Sequence, residues 1–274
     1  MLLEIFDTGY FYADGGAMFG STPKVLWEQQ YPADDQNRCV LAMRSVLFKT
    51  DDGRVVLIDT GIGKKHLEQI ASYGFFDCKD LKELLAERGV CPEEVTDVIL
   101  THMHFDHSGG CTEPDGKGGL QVSFPNARHW VSRKQWEYAQ NPHPLEADSF
   151  FAEDLQEVEE QGLLRLMDGS FQLCPCLRVE VYDGHSPKQL VPIMRQTDRE
   201  VVFAGDVLPL VASIKLEWIS AYDTDILASY DSKQRLLEEA AAQQQEIIFC
   251  HDATCTSAFV RKTTNSKRPF ESMH

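Results

Sequence analysis

The chain has 274 residues, 43% of them hydrophobic and 25% charged, with a formal net charge of -17. That composition supports a sizeable buried core and excludes a disordered or fibrous protein. The negative field argues against nucleic acid and anionic membrane surfaces as partners, and no run approaches the roughly 18 apolar residues that a membrane-crossing helix needs.

At the N-terminus, MLLEIFDTGY carries neither a basic leader nor an apolar signal core, so a cytoplasmic location is expected. The stretch DGGAMFGSTPKVLWEQQYPADD (about 14–36) is rich in glycine, proline and aromatics, and reads as a long loop of the kind that often carries function. CVLAMRSVLFKT, the turn DDG and RVVLIDTG predict a hairpin. DLKELLAERG predicts a helix stopped by its glycine, and VTDVILTH a strand. HWVSRKQWEYAQ and SFFAEDLQEVEEQG look helical, whereas LRVEVYDGH and LVPIMRQTDREVVFAGD look like strands. SKQRLLEEAAAQQQ predicts another helix and EIIFCH a last strand, followed by a solvated basic tail (about 261–274). No linker or repeat interrupts this alternation, which predicts a single α/β domain over residues 1–274. Eight cysteines spread through such a chain read as reduced thiols, and the C-x-C pair Cys174 and Cys176 has no second pair with which to build a zinc site.

The densest chemistry is THMHFDHSGG, residues 101–110. His102 and His104 are two apart, so an extended backbone points both imidazoles to one side, where they can share a metal. Beyond Phe105 the chain must turn, letting Asp106 and His107 address a second metal. Random placement produces this spacing in roughly one chain per thousand of this composition, so histidines satisfied by core hydrogen bonds are a poor explanation of it. His102 ends VILT, His185 follows VEVYDG, Asp206 ends VVFAG and His251 ends IIFC, so four strands each deliver a potential ligand at the carboxyl end. His66, His129, His143 and His274 lack such neighbours and read as surface or loop histidines.

THMHFDH, preceded by VLIDTG around Asp59 and followed by DGHS at His185, AGD at Asp206 and the late His251, resembles the metallo-β-lactamase superfamily. The resemblance implies a four-layer αββα sandwich. It implies that His102, His104 and His185 bind one divalent metal and Asp106, His107 and His251 a second, with Asp206 bridging and Asp59 supporting the site from behind. Zinc is the expected metal, with manganese or iron as alternatives. A metal-bridging hydroxide would attack the substrate, and Asp106 would orient it and carry its proton.

GGAMFGSTPKVLWE (15–28) and WISAYD (218–223) are similar to the branch that contains methyl parathion hydrolase and the N-acyl homoserine lactonases. This implies a dinuclear hydrolase of a lactone, ester or phosphoester of a small, partly apolar substrate, in a pocket drawing on Phe19, Trp27, Trp136, Trp218 and Tyr222, although core packing is the favoured reading of any one of these aromatics taken singly. Two positions depart from that branch. GHSPKQ places Lys188 where glycine is expected, a lysine that reads equally as an attractor of an anionic substrate or as a solvated side chain. Pro209 stands where lactonases carry a tyrosine, leaving Tyr222 as the stand-in. Two other readings remain open: a persulfide dioxygenase-like oxidoreductase with one iron on His102, His185 and Asp206, and a metal-binding sensor without turnover. A homodimer built through the N-terminal aromatic loop is a further expectation.

Overall fold

The computed structural model describes residues 1–265 and 269–273. Packing divides the chain into two compact units, each assembled from two stretches of sequence: Met1–Tyr10 with Met43–Ser170, and Phe11–Ala42 with Phe171–His274.

Strand β1 (Leu2–Asp14) opens the chain, and two short helices, α1 (Gly15–Phe19) and α2 (Lys24–Trp27), lie between it and β2 (Arg38–Lys49). The segment expected to be one long loop is therefore partly helical. Asp14 caps α1 by accepting the Ala17 amide at 3.0 Å, and Pro23 precedes α2, where its fixed φ suits a helix start.

In the first unit β2 pairs antiparallel with β3 (Val55–Ile58), in the hairpin that the DDG turn predicts. Parallel pairing continues through β4 (Asp97–Ile99), then β7 (Arg128–Ser132) and β8 (Leu164–Met167), while β5 (Thr112–Pro114) and β6 (Leu120–Val122) form a separate ribbon. Helix α3 (Leu81–Ala86) is capped by Asp80 and followed by Gly89 at φ 63. It buries Leu81, Leu84 and Leu85 in a core shared with Leu57, Val98, Phe124 and Val131. Helices α4 (Phe105–Ser108), α5 (Arg133–Ala139) and α6 (Gln156–Glu160) complete the unit.

The second unit is a seven-stranded sheet: β9 (Phe171–Cys174), β10 (Leu177–Tyr182), β11 (Gln189–Arg195), β12 (Glu200–Phe203), β13 (Glu246–Ile248), β14 (Ser257–Lys262) and β15 (Phe270–Met273). Among the described residues of this sheet only β12 and β13 pair in parallel. Parallel neighbours need a long crossover, here supplied by α7 (Ile226–Gln243). The Asp225 carboxylate caps this helix, and Leu236, Leu237 and Ala240 face the core around Val202, Ile247 and Phe249.

Three expectations need correction besides the loop. HWVS is strand, and the helix begins only after Ser132, whose hydroxyl accepts the Gln135 amide at 3.0 Å. The basic tail is not merely solvated, because it forms the β14–β15 hairpin and buries Phe270; its residues 266–268 and His274 lie outside the described residues. His66, in a loop as expected, and His129, in β7, are both buried rather than at the surface. His66 Nε2 meets Asp154 Oδ1 at 2.8 Å and its ring stacks on Phe151, while burial holds His129 neutral by pushing its pKa down to about 4. All eight cysteines are free thiols.

Candidate metal centre

Backbone topology sets four candidate ligands at equivalent positions. His102 lies three residues past Ile99, the last of β4, and His185, Asp206 and His251 lie three past Tyr182, Phe203 and Ile248, which end β10, β12 and β13. Each strand thus hands over to a loop of the same short length before its ligand.

In the first unit His102, His104, Asp106 and His107 fall in and just before α4. Asp59, directly after β3, is 1% exposed at φ 53. Its Oδ1 accepts the Thr101 amide at 2.7 Å, and its Oδ2 accepts the Thr101 hydroxyl at 2.8 Å and His107 Nδ1–H at 2.7 Å. Having given its proton to Asp59, the Thr101 hydroxyl oxygen accepts from His102 Nδ1 at 3.0 Å. His104 donates from Nε2 to Glu146 Oε1 at 2.7 Å. Every imidazole is therefore anchored through one nitrogen, as metal-binding histidines are. Asp106 is partly exposed, its Oδ2 3.7 Å from His107 Nε2. The two glycines closing the motif let α4 approach the DTG loop: a Cβ on Gly109 would lie 2.3 Å from the Ile62 carbonyl oxygen, and one on Gly110 2.4 Å from that of Thr60.

In the second unit His185 donates from Nδ1 to Asp223 Oδ1 at 3.0 Å, and His251 from Nδ1 to the Ala42 carbonyl at 2.7 Å. Their Nε2 atoms face opposite oxygens of Asp206, at 3.3 Å for His185 and 3.1 Å for His251. Cys250 Sγ contacts Asp206 Oδ1 at 3.1 Å.

These donor sets fit divalent cations. With the anchoring nitrogen protonated in each ring, His102 Nε2 and His104 Nδ1 turn lone pairs toward each other across 3.0 Å. Likewise His185 and His251 aim lone pairs at a carboxylate. Acceptor against acceptor is repulsive in a buried site unless a proton or a cation lies between. Imidazole and carboxylate together suit zinc and its neighbours in the transition series.

The expected pocket residues separate. Phe19 and Trp27 are stacked at 4.9 Å, and Trp218 meets Phe19 edge-on at 5.7 Å, all three buried. Trp218 also lines a small cavity with Asp206, Asp223, Ser229 and Lys233. Lys233 donates to the Trp218 carbonyl at 2.7 Å, and burial brings its pKa down to about 8. Trp136 packs against the first unit's core. Tyr222 is exposed, and the Lys188 ammonium is paired with Asp183 at 2.5 Å, on a backbone at φ 53.

Glu146, Asp223 and Cys250 were not anticipated from sequence. Asp223 stood inside the WISAYD motif, but nothing marked it as the partner of His185; Glu146 carried no signal at all. Glu146→Gln and Asp223→Asn keep the shape and weaken the acceptor that polarises a metal-binding imidazole. Each is expected to lower metal affinity by roughly 10–100-fold, as losing such a partner does elsewhere, which a competitive chelator titration measures; unchanged affinity would mean that these carboxylates do not support ligands.

The description "Metallo-beta-lactamase superfamily" matches residues 43–113. An N-acyl homoserine lactonase of Bacillus cereus is 24% identical over 220 residues, covering 75% of this chain and 79% of that one. Among solved structures, a probable metal-dependent hydrolase from Staphylococcus aureus superposes with a TM-score of 0.87 at 28% identity, covering 94% of this chain and 91% of its own. AidC, a dizinc quorum-quenching lactonase solved with a product, gives 0.79 at 19% identity, covering 99% and 93%. The α/β fold expected from the motifs is the fold these structures share. Residues 43–113 thus carry the likeness to the metallo-β-lactamase superfamily, most of the chain is similar to hydrolases of that fold, and the protein is a metal-dependent hydrolase.

Proposed function

We propose that His102, His104, Asp106, His107, His185, Asp206 and His251 hold two divalent cations, zinc foremost, with Asp206 between them, and that the enzyme hydrolyses a lactone, ester or phosphoester of a small, partly apolar molecule. The observation that carries this reading is the anchoring of all five imidazoles through one nitrogen, which leaves the other available to a cation.

Bound divalent cations supply hydroxide at neutral pH and polarise the substrate's carbonyl or phosphoryl oxygen. The chain's own residues do the rest. Asp106, the only carboxylate in α4 and partly exposed, is the group to take a proton from water and return it to the leaving oxygen. Glu146, Asp59 and Asp223 fix the orientation of His104, His107 and His185.

Metal content by mass spectrometry, on untagged protein purified without chelator, tests the reading together with a panel of lactones, carboxyl esters and phosphotriesters. Two zinc ions per chain with turnover on one substrate class is the expected result. A single iron with thiol-dependent oxygen uptake would replace it by the oxidoreductase reading, and metal binding with no turnover on any class by the sensor.

A further inference from the structure

Cys250 lies immediately before His251, and its side chain is fully buried. Its sulfur is 3.1 Å from Asp206 Oδ1, the same oxygen that His251 Nε2 approaches at 3.1 Å. The donor atoms of Asp206, Cys250 and His251 all lie within 4.8 Å of one another. A tetrahedral zinc, with bonds of about 2.0–2.3 Å to nitrogen, oxygen and sulfur, sets its ligands roughly 3.3–3.7 Å apart. The three atoms thus stand in a range that one cation can span with small side-chain rotations, and they do so within one compact unit.

We propose that Cys250 is a ligand of the cation held by Asp206 and His251, giving this centre a sulfur donor. The inference rests on the metal reading of the site. On binding, the sulfur–metal bond forms as the thiol proton, now directed at Asp206, leaves to solvent; no oxidant or reductant is involved. A thiolate is a soft donor, so its presence favours zinc over manganese and makes the half-site more thiophilic than a histidine–carboxylate set. Cys174 and Cys176, whose sulfurs lie 3.3 Å apart at the β9–β10 turn, form a second thiol pair that must be controlled for.

Substitution with Co(II) reads the sulfur directly, because cobalt–thiolate bonds give an intense near-ultraviolet charge-transfer band. The wild-type chain is expected to show the band, Cys250→Ser to lose it while keeping its stoichiometry of bound cobalt, and a Cys174→Ser, Cys176→Ser double variant to retain it. X-ray absorption on the wild-type zinc protein should show a sulfur scatterer at about 2.3 Å, which needs no variant to fold. Bound cobalt without the band, or a band that survives Cys250→Ser, overturns the assignment of Cys250 alone. A chain that retains no metal overturns the metal reading of the site, and this inference with it.

Discussion

Asp206→Ala is expected to leave fewer than two metal ions per chain and to reduce kcat/KM by roughly 10³-fold, about 4 kcal/mol of transition-state stabilisation. The reason lies in what the carboxylate faces. Its two oxygens receive His185 from one side and His251 from the other, so its removal deletes the negative charge on which both imidazoles converge. Were two divalent cations held here, the charge of Asp206 would offset their mutual repulsion in a low-dielectric site. Metal analysis and steady-state kinetics on the same preparation check the prediction. Retention of two ions with kcat/KM within tenfold of wild type would show that Asp206 does not bridge.

Gly110→Ala is expected to destabilise the chain by about 3 kcal/mol, toward the upper end for forcing an atom into a packed interior, and to lower Tm by roughly 6–12 °C. The added Cβ would meet the Thr60 carbonyl oxygen at 2.4 Å, and that oxygen belongs to backbone with little freedom to retreat. The Thr60 amide and hydroxyl both donate to the His107 carbonyl, at 2.7 and 2.9 Å, and the Gly110 amide donates to the Gly61 carbonyl at 3.0 Å. Relief must therefore come from moving α4, which carries Asp106 and His107, so metal affinity should fall together with Tm. Calorimetry with and without added zinc measures both. Gly169→Ala, where a Cβ meets nothing within 4 Å, should leave both unchanged; equal losses in the two variants would remove the steric argument.

Much of this was legible in residue order because the ligands are tied to the strands. Alternating and β-branched runs mark β4, β10, β12 and β13, and a ligand follows each at the same short distance, so periodicity and motif reinforce one another. What residue order hid was pairing across distance. Glu146 is 42 positions from His104, Asp223 is 38 from His185, and the Ala42 carbonyl is 209 from His251. Only folding brings such groups together, and a carbonyl has no side-chain signature to find. His66 was misplaced for the same reason, its partner Asp154 being 88 positions on. HWVS was misread because its aromatic and β-branched residues run straight into a helix; the overlooked signal was Ser132, a hydroxyl in capping position. In the basic tail, the lysines and arginines masked a short strand whose one large apolar residue, Phe270, goes inside.

That last strand bears on how the protein is handled at the bench. β15 is the outermost strand of its sheet, joined to β14 in antiparallel register from Lys262 opposite Phe270 to Phe259 opposite Met273. Cutting the chain before Phe270 strips β14 of its neighbour and leaves its backbone amides and carbonyls open to strands from other molecules. Expression vectors that trim the charged tail for crystallisation would therefore trade order for aggregation, and an affinity handle is better placed at the other terminus.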